Sequence, residues 1–143
     1  MPDAQQNLNK LETLTDEQKV VFLKTLLFLS QQDGEVDNDE IVFIKKMAKK
    51  YRVDNVQKVF EYTTEAQLLG ELKVLTSRRA ALDLIKELFL LGHSNMDLKV
   101  EEILFINRVA NALNISPEKV EQISRFVIDM LILQEQGKII FEE

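Results

Sequence analysis

Residues 22–53 read FLKTLLFLSQQDGEVDNDEIVFIKKMAKKYRV, and residues 84–115 read LIKELFLLGHSNMDLKVEEILFINRVANALNI. When the two segments are aligned without gaps, most positions place an apolar residue opposite an apolar residue. The identical pairs are Lys24 and Lys86, Leu26 and Leu88, Leu29 and Leu91, Glu40 and Glu102, Ile41 and Ile103, Phe43 and Phe105, Ile44 and Ile106, and Ala48 and Ala110. This repeat predicts two copies of one helix-loop-helix unit, each burying a face that it could not bury alone.

The rest of the chain has the same helical spacing. Apolar residues recur three and four positions apart, and only four glycines and two prolines interrupt them. We therefore predict an all-α, single-domain helical bundle over residues 1–143, with about seven helices and the two repeats related by a pseudo-twofold axis. Residues 1–14 are predicted to be a flexible N-terminal segment, and residues 137–143 a C-terminal tail.

Capping signals set the predicted helix bounds. Thr15 with Gln18 begins the first helix as a capping box, and Ser116 followed by Pro117 begins the last. The first helix should end near residue 32 and the last near residue 134. Between them we predict helices from Asp37 to about residue 51 and over 55–62, 65–75, 78–93 and 100–113.

The predicted core includes five phenylalanines, which fall on the apolar faces of these helices: Phe22, Phe28, Phe43, Phe89 and Phe105. The second helix should also bury Ile41, Val42, Ile44, Met47, Ala48 and Tyr51. Its lysines 45, 46, 49 and 50 form either a solvated face or an electrostatic docking surface for an acidic protein or an anionic membrane. Residues 138–141 either dock on the chain's own core or contact a partner.

Composition excludes several classes of function. The net charge of -6 opposes a nucleic-acid partner, since such binding needs a concentrated basic surface. The absence of cysteine removes disulfides and thiolate sites, which fits a cytoplasmic location. We predict no signal peptide and no transmembrane segment, because no basic start precedes an apolar core and charged residues interrupt every apolar stretch.

The first repeat carries an acidic loop, Asp33-Gly34-Glu35-Val36-Asp37-Asn38-Asp39-Glu40. Carboxylates two residues apart in a tight loop can turn inward together and bind a hard divalent cation such as calcium or magnesium. The competing interpretation is structural: Asp37 and Glu40 form a reciprocal helix cap, and Gly34 supplies a backbone conformation that other residues resist. An EF-hand is excluded by spacing, since Asn38 replaces its glycine and Ile44 its bidentate glutamate.

Other chemistry has little support in the sequence. His93 is the single histidine, and without cysteine it gives no zinc site of the usual type. It is predicted to act as a cation or hydrogen-bond donor at a helix end, with a ligand or pH-sensing role as the alternative. No nucleophile elbow or glycine-rich phosphate loop occurs. We expect no enzyme, and a hydrolase with a carboxylate-bound metal is the residual enzymatic alternative.

The pattern of a helix, Asp33-Gly34, further acidic residues, Glu40 and a second helix, repeated once with changes, resembles the TerB family of tellurite-resistance proteins. It is also similar to the TerB-like domain of DnaJ-type co-chaperones, and the resemblance covers residues 15–130. It implies a cytoplasmic, non-enzymatic module of bacterial stress responses that recruits a protein partner. Peripheral membrane association would then occur through that partner.

In that family the acidic loop residues are thought to form a cation site. Carried onto this chain, the implied ligands are Asp33, Glu35, Asp37 and Glu40 in the first copy, and Asp97 and Glu102 in the second. The second copy departs from the pattern, since Asn95-Met96 stands in place of Asp-Gly and Lys99 stands opposite Asp37. The alternative function, which needs no metal, is a structural protein-interaction domain that binds through a helix groove or through residues 137–143.

Overall fold

The computed structural model describes residues 13–32, 38–94 and 98–142, and these residues form helices and turns without strands. The all-α, single-domain bundle expected from the sequence is confirmed. In chain order the elements are α1 (Asp16–Ser30), α2 (Asn38–Lys50), α3 (Val56–Val59), α4 (Glu65–Glu71), a 3-10 turn (Leu72–Val74), α5 (Arg78–Ser94), α6 (Val100–Ala112) and α7 (Pro117–Phe141).

Hydroxyl side chains cap the N-terminal ends of several of these helices. The Thr15 Oγ1 accepts a hydrogen bond from the Gln18 backbone N–H at 3.1 Å, and the Gln18 side chain accepts from the Thr15 N–H at 2.9 Å, as the sequence predicted. Thr64 and Gln67 make the same reciprocal cap at α4. Ser116 Oγ accepts from the Lys119 N–H at 3.2 Å, with Pro117 in the first turn of α7. Each cap satisfies backbone donors that a helix start leaves open.

Helix α1 is the centre of the bundle. It contacts α2, α3, α4, α5, α6 and the 3-10 turn, and its residues from Lys19 to Leu27 are all buried. A helix surrounded in this way has to be apolar on almost every side. The hydroxyl of its buried Thr25 donates a hydrogen bond to the Val21 carbonyl oxygen at 2.7 Å, so this polar group is satisfied within the helix.

The helix pairs α1–α2 and α5–α6 correspond in detail. Helix starts differ by 62 positions in both cases, and α2 and α6 have the same length. Two residues after each second helix, Arg52 and Asn114 adopt the same φ of 57°. The next N–H then donates at 2.9 Å to a carbonyl five residues back, from Val53 to Ala48 and from Ile115 to Ala110. These correspondences are local, and the pseudo-twofold axis stays a prediction.

The predicted burial of α2 is wrong at two residues. Ile44, Ala48 and Tyr51 are buried, but Val42 and Phe43 are exposed, with 41% of Phe43 accessible. The reason is position: α2 packs mainly on α1 and lies at the edge of the bundle, so only one of its faces is covered. The lysines 45, 46, 49 and 50 are exposed, as predicted.

The predicted end of the last helix is also wrong. Helix α7 continues through Gly137 to Phe141, whereas the sequence analysis ended it near residue 134. Residues 138–141 do not dock on the core: Ile139 is 77% and Phe141 84% exposed. Glycine weakens a helix by only about 1 kcal/mol relative to alanine, so a single glycine does not end a well-formed helix. Residues 1–12 of the predicted N-terminal segment lie outside the described residues.

Candidate interaction surface

Helix α7 is only half covered by the bundle. Over its first half it packs on α5 and α6, where Val120 and Val127 are buried and Ile123 and Leu131 are partly buried. The ten residues after Leu131 contribute no side chain to the core. At 1.5 Å per residue, about 15 Å of helix therefore runs past the last core contact. This projecting end carries apolar residues that its own bundle does not bury.

Three of the exposed apolar residues of α7, together with the partly exposed Met130 and Gly137, fall into a regular row. Spacings of four, three, four and three positions place five residues along one side of the helix, which we call the α7 stripe: Phe126, Met130, Leu133, Gly137 and Ile140. Phe126 is 57%, Leu133 68% and Ile140 64% exposed. A seam with alternating spacings of three and four is the pattern by which one helix packs along another. The stripe begins on the covered half and continues along the projecting end.

Gly137 leaves a gap in the middle of the projecting part of the stripe. A Cβ atom placed there would meet nothing within 4 Å among the described residues, apart from the backbone of its own helix. The glycine therefore makes no close approach to another element that the structure describes. It lowers the intrinsic stability of the helix by about 1 kcal/mol without a packing contact in return.

A second concave feature lies between α1 and the segment that joins α3 to α4. This cleft has a volume of about 520 Å³ and is lined by Leu27, Phe28, Phe60 and Tyr62, together with polar residues. The buried Lys24 Nζ donates to Thr63 Oγ1 at 3.1 Å and lies 3.7 Å from Glu71 Oε2.

The polar groups of the cleft already serve structural contacts. Thr64 Oγ1 caps α4, and the Thr63 hydroxyl donates to the Glu61 carbonyl oxygen at 3.3 Å. Glu65 forms a two-point ion pair with Arg108, at 2.7 and 2.9 Å, which raises the pKa of the Arg108 guanidinium mainly through the side-chain hydrogen bond. The one lysine that lines the cleft, Lys24, is therefore engaged by Thr63 and Glu71.

The residues predicted to bind a cation are only partly within the structure. Asp33, Glu35, Asp37 and Asp97 lie outside the described residues. Glu40 is a half-buried residue in the first turn of α2, and Glu102 is a buried residue in the first turn of α6. Among residues 13–32, 38–94 and 98–142, no three His, Asp or Glu side chains come together as a group that could hold a metal ion.

Glu102, in the first turn of α6, acts as a helix cap. Glu102 Oε1 accepts a hydrogen bond from the Lys99 backbone N–H at 3.0 Å. This is the second half of a capping box, in which the third helical residue reaches back to the residue before the helix. Lys99 occupies the position of Asp37 in the first repeat. The contact is therefore the one that the structural interpretation predicts for Glu40 and Asp37.

Two buried polar atoms lie where α1 and α5 lead into the loops. Ser30 Oγ and His93 Nε2 are buried and have no hydrogen-bond partner among the residues that the structure describes. The two helix ends are close, since a Cβ on Gly92 would lie 3.9 Å from Leu29 Cδ2 and would overlap Leu98. Buried hydroxyl and imidazole groups in proteins almost always have a partner, so both atoms require one.

The α7 stripe is not among the features predicted from the sequence, although the sequence carries its signal. Apolar or small residues alternate at spacings of four and three from Phe126 to Ile140. The predicted end of the last helix near residue 134 divides this row between a helix and a tail. No helix among the described residues is long and apolar enough to cross a membrane. Comparison of the chain with models of protein families, with curated proteins and with solved structures finds no match.

Proposed function

We propose that this chain is a non-enzymatic protein-interaction module that binds its partner through the projecting end of α7. The observation that carries the proposal is the exposure of Leu133, Ile139, Ile140 and Phe141 on an ordered helix. Contiguous apolar surface on a soluble protein marks an interaction site, because leaving it in water is unfavourable. Helix-on-helix and helix-in-groove recognition both use anchors three, four or seven residues apart, and Leu133 and Ile140 are seven residues apart.

The chemistry of the exposed end favours a protein over a lipid surface. Glu135 and Glu142 accompany the apolar residues, and the Nζ of Lys138, the single basic residue of the projecting end, lies 3.3 Å from Glu135 Oε1. An anionic membrane would repel this charge pattern, whereas a protein surface can place its polar rim against it. The proposal includes a cytoplasmic location, in keeping with the cysteine-free composition. A TerB-like role in a stress response stays a prediction from the sequence pattern.

The test compares a double substitution in the α7 stripe with a single substitution at an exposed apolar residue elsewhere. The full-length tagged chain, the double variant Leu133→Asp/Ile140→Asp and the control Val42→Asp are expressed in the native cells, cross-linked and recovered. Val42 is also an exposed apolar residue but lies on α2. We expect the double variant to lose the proteins, including untagged copies of this chain, that the wild type and the control recover. Equal recovery by all three would contradict the proposal.

A second candidate function is divalent-cation binding by the acidic loop between α1 and α2. The observation that favours it is the pair of buried atoms at the ends of α1 and α5, Ser30 Oγ and His93 Nε2; the sequence that follows α1 has five acidic residues between positions 33 and 40. The Lys99–Glu102 contact favours capping instead. Both interpretations predict a folded bundle, so they differ only in their response to metal.

Thermal melts after EDTA treatment, repeated with calcium, magnesium or manganese, separate the two interpretations. A cation present at a hundred times its dissociation constant adds about 2.7 kcal/mol when it binds only the folded state, which raises the melting temperature by several degrees. If the loop binds the cation, that rise should disappear in Asp33→Asn/Glu40→Gln. Superimposable melts of the wild type would assign Asp37 and Glu40 to capping.

A further inference from the structure

We infer that the α7 stripe is covered by the α7 stripe of a second copy of this chain, packed antiparallel. This inference rests on the proposed function and names the partner. It is carried by three observations on the described residues: the spacing of the stripe, the alternation of large and small side chains along it, and the charges that flank it.

The spacing fits a helix pair better than a flat or irregular surface. The stripe runs through four turns with one apolar or small residue at each three-four step, from Phe126 to Ile140. The flanking positions Asp129, Gln134 and Gln136 are polar, as in the borders of a two-helix seam. No ionisable residue lies within the stripe itself, so its burial against an identical stripe desolvates no charge.

Side-chain size selects the antiparallel direction. In an antiparallel register that places Met130 opposite Leu133 of the second copy, Phe126 lies opposite the second copy's Gly137. The largest side chain of the stripe then fills the gap above the glycine, where nothing lies within 4 Å. A parallel pair would place Phe126 opposite Phe126 and glycine opposite glycine, which combines crowding with a void. The antiparallel pair also places Asp129 beside Gln136, so no like charges oppose each other.

The antiparallel pair also accounts for the projecting length. Each projecting end lies along the covered half of the other helix, where Phe126 and Met130 are the accessible part of the stripe. With roughly 150–250 Å² for a large apolar side chain, the exposed fractions of Phe126, Leu133 and Ile140 in the stripe, together with Phe141 beside it, amount to about 500 Å² per copy. Two copies would bury on the order of 1,000 Å², which is near the lower bound for a specific interface. The dimer is therefore expected to dissociate on dilution.

Sedimentation equilibrium of the full chain over a wide concentration range tests the association. The wild type should fit a monomer–dimer equilibrium, and Leu133→Asp should raise its dissociation constant at least about tenfold, because it places a charge at the centre of the seam. The matched control is Ile132→Asp, an adjacent exposed apolar residue that lies about 100° around the helix, with an expected change of less than about threefold. Gly137→Leu should also weaken the dimer, while leaving the monomer as stable or more so.

Cysteine substitutions test the direction, since the chain has no cysteine of its own. A mixture of Phe126→Cys and Gly137→Cys proteins should form the mixed disulfide, whereas each variant alone should not form its own. Disulfides within each variant alone would mean a parallel pair and would overturn the inference. A monomer at every concentration, or a dimer that Leu133→Asp does not weaken, would overturn it as well.

The outcomes separate this inference from the proposed function. A monomeric chain that still recovers another protein, and loses it on Leu133→Asp/Ile140→Asp substitution, would overturn self-association and leave the interaction module intact. If the substitutions alter neither self-association nor recovery, both proposals fail.

Discussion

Helix pairs α1–α2 and α5–α6 have corresponding helix starts and the same turns after their second helices, yet identical residues meet different surroundings in them. Phe105 is fully buried, stacked on Phe28 at 6.0 Å between ring centroids, with the Arg108 guanidinium 5.9 Å from its ring. Its counterpart Phe43 is exposed. Helix α6 is covered by α1, α4, α5 and α7, whereas α2 packs mainly on α1. Identical residues therefore form the same local structure in both pairs, whereas the burial of each side chain depends on the elements that pack against it.

The largest expected effect is the difference in stability between alanine variants of Phe105 and Phe43. Phe105→Ala removes a fully buried ring and leaves a cavity, so it should lower the free energy of unfolding by about 3–5 kcal/mol. Phe43→Ala removes the same atoms from the exposed edge and should cost less than about 1 kcal/mol. Urea unfolding of both variants checks the difference. Similar losses would mean that α2 is covered in solution.

The two identical lysines give the next comparison. Lys24 is buried and hydrogen-bonded to Thr63, whereas Lys86 is half-exposed. Lys24→Met keeps most of the apolar stem but removes the hydrogen bond and the ion pair, with an expected cost of about 1–2 kcal/mol. Lys86→Met should change the stability by less than about 0.5 kcal/mol. If both variants unfold at the same urea concentration, the cleft contact contributes nothing.

The two helix-start glutamates give a third comparison. Glu102→Ala removes the acceptor of the Lys99 N–H and should cost about 0.5–2 kcal/mol. If Glu40 serves only as the equivalent cap, Glu40→Ala should cost a similar amount, with or without EDTA. A loss at Glu40 that appears only when a divalent cation is present would favour the cation site instead. Thermal melts of both variants in the two buffers give the answer.

The smallest expected effect concerns Glu87, which occupies the position of the fully buried Thr25. Burial raises the pKa of the Glu87 carboxyl; Lys86 and Lys50 oppose this rise, and Asp83 adds to it. A raised pKa in the folded state favours the protonated form, so this contribution to stability is present at low pH and is lost as the pH rises through the folded pKa. Glu87→Gln should therefore raise the melting temperature slightly at pH 7. It should also flatten the pH dependence of the melting temperature above the ordinary carboxyl pKa. A lower melting temperature of the variant at pH 7 would contradict the raised pKa of Glu87.

Local signals in the sequence predicted most helix starts, because a cap depends on residues only three positions apart. Thr15 with Gln18 and Ser116 with Pro117 are confirmed in the structure. The burial of Phe43 and the path of residues 138–141 could not be predicted in this way, since they depend on which elements pack against them. The predicted cation ligands Asp33, Glu35, Asp37 and Asp97 lie outside the described residues, so the sequence prediction for them stands untested.

The central claim is that the projecting end of α7 is covered when the protein associates. Hydrogen exchange of backbone amides in residues 132–141, measured at low and high protein concentration, tests it directly. A helix end without side-chain contacts should exchange quickly, because so short a segment is marginal alone. We predict that protection of these amides rises with concentration in the wild type and stays low in Leu133→Asp. Protection that is independent of concentration, or equal in the two proteins, would contradict the account.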